Sequence, residues 1–307
     1  MNSPENEDAR LLHETFQGKG LEQNFPIELI KIRSHKERMK IRHAYKDMYG
    51  KDLLDELGEM YAADEKKIML ALFTDPLEFD VDCIYKAIKG AGTDEDVLIE
   101  IFASRPGWFL KKIKKLYKKK YERDLEKDVE GDTSFNFKKL LISLLQCKRS
   151  TNQTPNEEEC KKMAKELYDA GEKKLGTDEP VFNKVFALSS PHELIIISRE
   201  YHKLTGNLLT NAIDKEFSGD IKKLLKAILY AQISPSEYFA TRIHDAVDGV
   251  GTSEKTLTRI LVSRAEIDLN KIKKLYEKLY SKDMIDHIEK KVSGDYKKIL
   301  HEILINH

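Results

Sequence analysis

The sequence predicts an all-α protein built from four related helical units, and three observations lead to this prediction. Apolar residues recur at helical spacing, as they do across residues 97–102, and long alternating strands are absent. A tyrosine pattern and a glycine turn recur in the same order along the 307 residues. Each unit also closes with an apolar stretch, at residues 68–73, 140–145, 224–230 and 299–304. Because recurring marks at fixed internal distances indicate a repeat architecture, we interpret each unit as a small helical bundle.

The tyrosine pattern is the best defined of these marks. Residues 41–53, 113–125 and 272–284 all read I-x-x-x-Y-x-x-x-Y-x-x-D-apolar. Residues 197–209 form a weaker fourth copy, in which Thr205 stands where the others have their second tyrosine. The first tyrosine of each clear copy lies at helical spacing among apolar neighbours, which predicts a core position for Tyr45, Tyr117 and Tyr276.

A glycine turn precedes each tyrosine pattern. The turns contain Gly18 and Gly20, Gly90 and Gly92, Gly176, and Gly249 and Gly251. In three of them a threonine follows the glycine and is itself followed by polar or acidic residues, which is typical of a helix N-cap. The pattern therefore predicts N-caps at Thr93, Thr177 and Thr252.

Composition excludes several classes of function. The chain has 53 basic and 53 acidic residues, so net charge offers no long-range attraction to nucleic acid, and binding to an anionic surface must be local or ion-mediated. Three cysteines without a C-x-x-C spacing indicate a reducing, intracellular compartment rather than a disulfide framework or a zinc site. The sequence has neither a secretory signal nor an apolar run long enough to span a membrane. It also lacks the common catalytic motifs, so we predict a protein that is not an enzyme.

Composition shifts and proline positions divide the chain. The predicted segments are an N-terminal arm, four repeats, and a polar linker that divides the chain two and two. They comprise residues 1–10 (arm), 11–75, 80–147, 148–159 (linker), 160–232 and 235–307.

The loop K-G-x-G-T-D-E, opening a helical unit that occurs four times, resembles the annexin family. Residues 89–95 are the clearest match, and residues 171–177 resemble the longer loop of third annexin repeats. The likeness spans nearly the whole chain. It implies four five-helix repeats forming a slightly curved disc, with calcium loops on the convex face. A divergent protist branch such as the alpha-giardins is one form that this resemblance could take.

The resemblance also implies which residues hold calcium. Calcium prefers six to eight oxygen ligands, and glycine lets successive carbonyl groups turn toward one point. In the family a carboxylate arrives from forty residues beyond the last glycine of the loop, and here those positions are Asp132 and Glu216. The predicted ligands are the carbonyls of Ile88, Gly90 and Gly92 with Asp132, and those of Gly171, Lys174 and Gly176 with Glu216.

The first and fourth repeats depart from this pattern. The equivalent positions hold Met60 and Lys291, and neither a thioether nor an ammonium suits calcium. We therefore expect the loops with Gly18 and Gly20, and with Gly249 and Gly251, to be helix-to-helix turns. Second, looser ions in the other two repeats could use Thr93 with Glu95, and Thr177 with Glu179.

The sequence thus predicts calcium-dependent binding to acidic phospholipid, by a cytoplasmic protein that attaches to the inner face of membranes when calcium rises. A bound ion would keep one or two positions for lipid phosphate oxygens. Self-association on the membrane is left open. The alternative is a helical-repeat scaffold or cytoskeleton-associated protein with little calcium dependence, which the lysine-rich residues 111–120 favour, although such runs usually form a solvated helix face.

Overall fold

The structure is a computed structural model, and it describes residues 3–19, 24–90, 92–249 and 251–306. Within these ranges the chain forms twenty α-helices and no strand. The predicted all-α class is confirmed, and each of the four repeats contains five helices.

The helices follow one another in the same order in every repeat. The first repeat contains α1 (Pro4–Phe16), α2 (Phe25–Ile32), α3 (His35–Tyr49), α4 (Leu53–Met60) and α5 (Ala63–Leu72). The second contains α6 (Pro76–Ile88), α7 (Glu95–Ser104), α8 (Gly107–Tyr121), α9 (Leu125–Asp132) and α10 (Phe135–Leu145). The third contains α11 (Glu157–Ala170), α12 (Glu179–Leu188), α13 (Pro191–Thr205), α14 (Leu209–Glu216) and α15 (Gly219–Ile233). The fourth contains α16 (Pro235–Asp248), α17 (Glu254–Arg264), α18 (Leu269–Tyr280), α19 (Met284–Glu289) and α20 (Gly294–Asn306).

The tyrosine pattern marks the third helix of each repeat and the start of the fourth. Its first tyrosine is fully buried in all four repeats, which confirms the core prediction. Its final aspartate is the N-cap of the fourth helix wherever the pattern is complete, at Asp52, Asp124 and Asp283, whose side chains each accept a backbone N–H. In the third repeat the same position is Leu208, which cannot accept such a bond, so this copy is weaker in structure as well as in sequence.

The chain folds into two compact units. One comprises residues 1–76 with 239–307, and the other comprises residues 77–238. In the first unit α5 packs on α17 and α2 packs on α20, so the first and fourth repeats are partners. In the second unit α7 packs on α15 and α10 on α12, which joins the second repeat to the third.

The predicted linker, residues 148–159, lies within the second unit and does not separate two units. It is held by Arg149, which donates to the carbonyls of Ser189 (2.8 Å) and Phe186 (2.9 Å). Burial lowers the pKa of Arg149 to about 10. This stretch therefore joins the second and third repeats, which pack together within one unit.

The segment predicted as an N-terminal arm is helical from Pro4 onward. Residues 4–10 belong to α1, and Asp8 is buried and paired with Arg33 of the first repeat, with Nε 2.7 Å from Oδ2. Ser3 caps this helix by accepting the N–H of Asn6. Among the described residues, none of the helices has the length and apolar character needed to cross a membrane.

Candidate metal centres in the second and third repeats

The loop between α6 and α7 has a backbone that requires glycine. Gly90 has φ of 142° and Gly92 has φ of 95°, values that residues with a Cβ rarely adopt. The loop is closed by the N–H of Asp94, which donates to the carbonyl of Ala87 at 2.9 Å. The same bond recurs in the third and fourth repeats, from Asp178 to Ala170 (2.7 Å) and from Ser253 to Ala246 (2.8 Å).

Asp132 lies directly against this loop. The hydroxyl of Thr93 is 2.6 Å from Oδ2 of Asp132 and 2.9 Å from its backbone carbonyl. Ile88, Gly90 and Asp132 line one cleft of about 360 Å³ beside the loop. The structure therefore brings the distant acid to the glycine loop, although the two are separated by about forty residues of chain.

The third repeat repeats this arrangement with a longer loop. The hydroxyl of Thr177 is 2.5 Å from Oε2 of Glu216. A Cβ added to Gly171 would lie 3.3 Å from Cγ of Glu216, so the carboxylate side chain fills the space beside that glycine. The carbonyl of Gly171 accepts the N–H of Lys174 at 3.0 Å and keeps a second lone pair. Gly176 has φ of 82°, as the equivalent glycine of the second repeat also has positive φ.

The predicted threonine N-caps are wrong by one residue. The helices begin at Glu95, Glu179 and Glu254, and the N-caps are Asp94, Asp178 and Ser253. Two of the threonine hydroxyls bind the distant acids, and that of Thr252 approaches the carbonyl of Lys291 at 3.5 Å. These threonines connect the two loops of a repeat and do not cap a helix.

Two acids that support the loops were missed by sequence reasoning. In the third repeat Glu172 accepts from Tyr201 (2.7 Å), Asn207 (3.1 Å) and Lys215 (2.9 Å). Burial alone would raise the pKa of Glu172, but these bonds outweigh burial and lower the pKa. In the second repeat Asp128 accepts from Tyr117 (2.8 Å) and forms a two-bond pair with Arg123, which lowers its pKa. Each acid anchors the buried tyrosine of its repeat, and the nearest sequence signal was the tyrosine itself.

The first repeat has no acid at the position of Asp132 and Glu216. Met60 ends α4 and is partly exposed, and Gly18 has φ of 67° in the turn after α1. Gly20 lies outside the described residues.

The fourth repeat replaces the carboxylate by an ion-pair cluster. Lys291 stands 3.8 Å from Asp248, which also binds Lys282 (2.9 Å) and His287 (3.0 Å). The ammonium of Lys282, together with His287, lowers the pKa of Asp248 to about 2. Gly249 and Gly251 keep the turn, since a Cβ on Gly249 would meet the carbonyl of Asp245 at 2.8 Å, but Lys291 stands where the second and third repeats have their acid.

The donor set of the second and third loops suits calcium. In the parts of the chain that the structure describes, no three His, Cys, Asp or Glu side chains are grouped as metal ligands. A cation at these loops would rely on main-chain carbonyls and one carboxylate, which is oxygen-only chemistry of the kind that calcium prefers. Glu95 and Glu179 open α7 and α12, where a carboxylate is also favoured by the helix dipole, so their position alone has a structural explanation.

Part of the lysine-rich stretch forms one exposed face of α8. Trp108, Lys111, Lys115 and Lys118 follow one another at helical spacing and are exposed, and Lys112 lies over the Trp108 ring at 5.0 Å. The opposite face buries Leu110, Ile113 and Tyr117.

The comparison with protein families decides the identity of the fold. The family model described as Annexin matches four times, at residues 7–72, 79–144, 162–228 and 238–303. The chain belongs to the annexin family. Mouse annexin A13 is 40% identical over 297 residues, which cover 97% of this chain and 94% of that protein.

Solved annexins share the whole architecture. The structure of annexin III matches with a TM-score of 0.94 and 34% identity, covering 99% of this chain and 95% of the other. A calcium-bound annexin (Sm)1 matches with a TM-score of 0.85 and 30% identity, covering 98% and 90%. A calcium-bound alpha-14 giardin has a TM-score of 0.82 at 19% identity, covering 96% and 98%, a likeness of fold alone. This annexin therefore belongs to a family whose members generally bind phospholipid in a calcium-dependent manner.

Proposed function

We propose that this annexin binds acidic phospholipid membranes through calcium ions held in its second and third repeats. One ion would use the carbonyls of Ile88, Gly90 and Gly92 with Asp132. The other would use those of Gly171, Lys174 and Gly176 with Glu216. The observation that carries the proposal is the hydrogen bond between the loop threonine and the distant acid, because it places a carboxylate beside a glycine loop twice in one chain.

The bridge to lipid follows from the number of ligands. Three carbonyls and a two-oxygen carboxylate leave one to three of the six to eight positions of calcium open, and a lipid phosphate oxygen can take one. The cleft of the second repeat is also lined by Lys89 and Lys127, whose ammonium groups complement a phosphate. Two weak sites on one chain strengthen each other through effective concentration, so attachment should be steep in calcium and reversible.

The setting that fits this chemistry is the cytoplasm, with attachment to the inner face of membranes when calcium rises. In this proposal the protein binds membranes and does not catalyse a reaction. Thr93 with Glu95, and Thr177 with Glu179, are the residues for any second, looser ions. Self-association on the membrane would be a consequence of attachment, and nucleic acid is not part of the proposal.

Vesicle co-sedimentation with Asp132→Asn combined with Glu216→Gln tests the proposal. Both amides can still accept the threonine hydroxyl, so the variant removes ligand charge with little change to the loops. We expect the wild type to pellet with phosphatidylserine vesicles only in calcium, and the variant to need about tenfold more calcium or to stay in solution.

The matched control combines Glu59→Gln with Glu289→Gln, the acids beside Met60 and Lys291. This pair should pellet as the wild type does, because neither acid stands at a ligand position. Pelleting of the wild type that ignores a chelator, or equal calcium midpoints for all three proteins, would refute the proposal.

The α8 lysine face supports a second candidate, a scaffold or cytoskeleton-associated protein with little calcium dependence. Among the described residues, five lysines of this helix have no carboxylate within ion-pair distance: Lys111, Lys112, Lys115, Lys118 and Lys119. An acidic filament would complement that charge.

A further inference from the structure

The four repeats share a backbone conformation three residues after the acid position. There the chain turns from the fourth helix into the fifth with positive φ in every repeat: 47° at Ala63, 49° at Phe135, 61° at Gly219 and 66° at Gly294. Glycine adopts this region freely, whereas a bulky residue is strained in it. The fold therefore favours glycine at this position, and the second repeat has phenylalanine instead.

Packing does not account for Phe135. Its side chain is 86% exposed, and within the described residues its ring has no aromatic partner. Phe137, two residues later on the same helix, is the aromatic residue that enters the core. The strained backbone thus holds an apolar ring in solvent. Neither core packing nor the geometry of the turn explains a phenylalanine at this position.

The location of the ring points to its partner. Phe135 is three residues from Asp132, and three residues of chain span at most about 11 Å. In the part of the chain that the structure describes, the two most exposed large apolar side chains are Leu175, at 104%, and Phe135. Leu175 lies between Lys174 and Gly176 in the other candidate calcium loop. Both of the most exposed apolar groups therefore flank the two loops that keep their acid.

The charges around Phe135 favour a lipid surface over a protein partner. Lys138 and Lys139 follow on the same turn of α10, and Lys89 and Lys127 line the adjacent cleft. An exposed apolar ring among lysines is typical of segments that lie at the boundary between anionic headgroups and acyl chains.

We infer that Phe135 is a membrane anchor, which enters the headgroup–acyl boundary of an anionic bilayer when the second-repeat loop binds calcium and lipid phosphate. This inference rests on the proposed function and adds to it a hydrophobic contribution from a residue that is not a calcium ligand. The ion would set when the protein attaches, and the ring would set how long it stays.

Phe135→Gly tests the anchor, because it relieves the backbone and removes the ring together. Its thermal midpoint should be equal to or above that of the wild type, so any loss of binding cannot come from unfolding. At saturating calcium, its partition onto phosphatidylserine vesicles should fall about tenfold, while chelator still releases it. Ala63→Gly is the matched control, since it relieves the same backbone position in the first repeat without removing a ring, and its partition should not change.

A fluorescence measurement reports the position of the ring directly. The chain has one tryptophan, so a protein with Phe135→Trp and Trp108→Phe carries its only indole at this position. Brominated acyl chains should quench its emission when calcium and phosphatidylserine vesicles are both present, and chelator should restore it.

The outcomes separate the anchor from the proposed function. A wild type that never pellets with calcium overturns both. Calcium-dependent pelleting with equal partition of Phe135→Gly and wild type, or emission that bromine does not quench, overturns the anchor alone. Dimerisation in calcium without lipid, lost on Phe135→Gly, would assign the ring to a second copy of the chain and would also overturn the anchor.

Discussion

At the scale of single residues, one position shows how the repeats diverge while keeping their fold. The residue that follows the second helix is Arg33 in the first repeat and Arg105 in the second, and each pairs with an aspartate from the first helix of its repeat. In the fourth repeat Arg264 lies over the Phe239 ring at 4.7 Å. In the third repeat the position is Ser189, and Arg149 of the linker reaches its carbonyl. A cation near the end of the second helix thus persists although its source and partner change.

Because the Arg105–Asp80 pair is buried, we expect a large loss of stability when its aspartate is removed. Nε of Arg105 is 2.6 Å from Oδ2 of Asp80, and the side chains are 9% and 3% exposed. Asp80→Ala removes the carboxylate that binds a buried cation in two places, and it should lower the free energy of unfolding by about 3–5 kcal/mol.

Asp8→Ala is the comparison, because its partner Arg33 is 28% exposed and can be hydrated after the change. Asp8→Ala should lower the free energy of unfolding by about 1–2 kcal/mol. Calorimetric unfolding of both variants measures the difference, and equal losses would show that burial of the arginine does not control the energy.

At the scale of elements, the sequence predicted the helices better than their ends. Apolar spacing and the tyrosine pattern indicated helical units because these signals are local. The aspartate of that pattern proved to be an N-cap, but the loop threonines did not. Thr93 and Asp94 both suit a cap, and what decides between them is a hydrogen bond from Thr93 to Asp132, a contact between distant parts of the chain that local pattern cannot report.

The α8 lysine face gives a prediction at this scale. Lys118, Lys119 and Lys120 lie in the last turn, where cations complement the helix dipole, so part of the charge has a structural role. We expect Lys111→Gln, Lys115→Gln and Lys118→Gln together to leave calcium-dependent pelleting within about twofold of wild type at physiological salt, where screening is strong.

The variant with these three lysine substitutions also tests the scaffold alternative. Co-sedimentation with actin filaments and with phosphatidylserine vesicles, each with calcium or chelator, separates the two candidates. Filament binding that persists in chelator and is lost in the lysine variant would favour the scaffold, and would contradict a calcium loop as the principal binding element.

At the scale of the whole molecule, the order of the repeats in sequence differs from their association. The second and third repeats share a compact unit, joined by contacts such as the 2.6 Å bond from Gln232 to the carbonyl of Ala103. The first and fourth form the other, where the backbone N–H of His35 donates to Glu266 at 2.5 Å. Composition marked residues 148–159 as a linker, but helix pairing depends on which faces fit, and a polar stretch carries no information about that.

The two units differ in whether their repeats have an acid at the position of Asp132 and Glu216. Both repeats with an acid at the expected position lie in one unit, and both with Met60 or Lys291 lie in the other. The position of the acid came from the family resemblance and a fixed spacing. The replacement cluster around Asp248 could not be foreseen, because His287 and Lys282 reach it through the fold.

In the proposed mechanism, main-chain oxygens and one distant carboxylate form a calcium cage in each of two repeats. A crystal structure of the protein soaked in calcium tests it most directly. We expect a metal about 2.3–2.6 Å from the carboxylate oxygens of Asp132 and of Glu216 and from the loop carbonyls, with none at Met60 or Lys291. Metal-free loops at both acids in calcium-saturated crystals would contradict it.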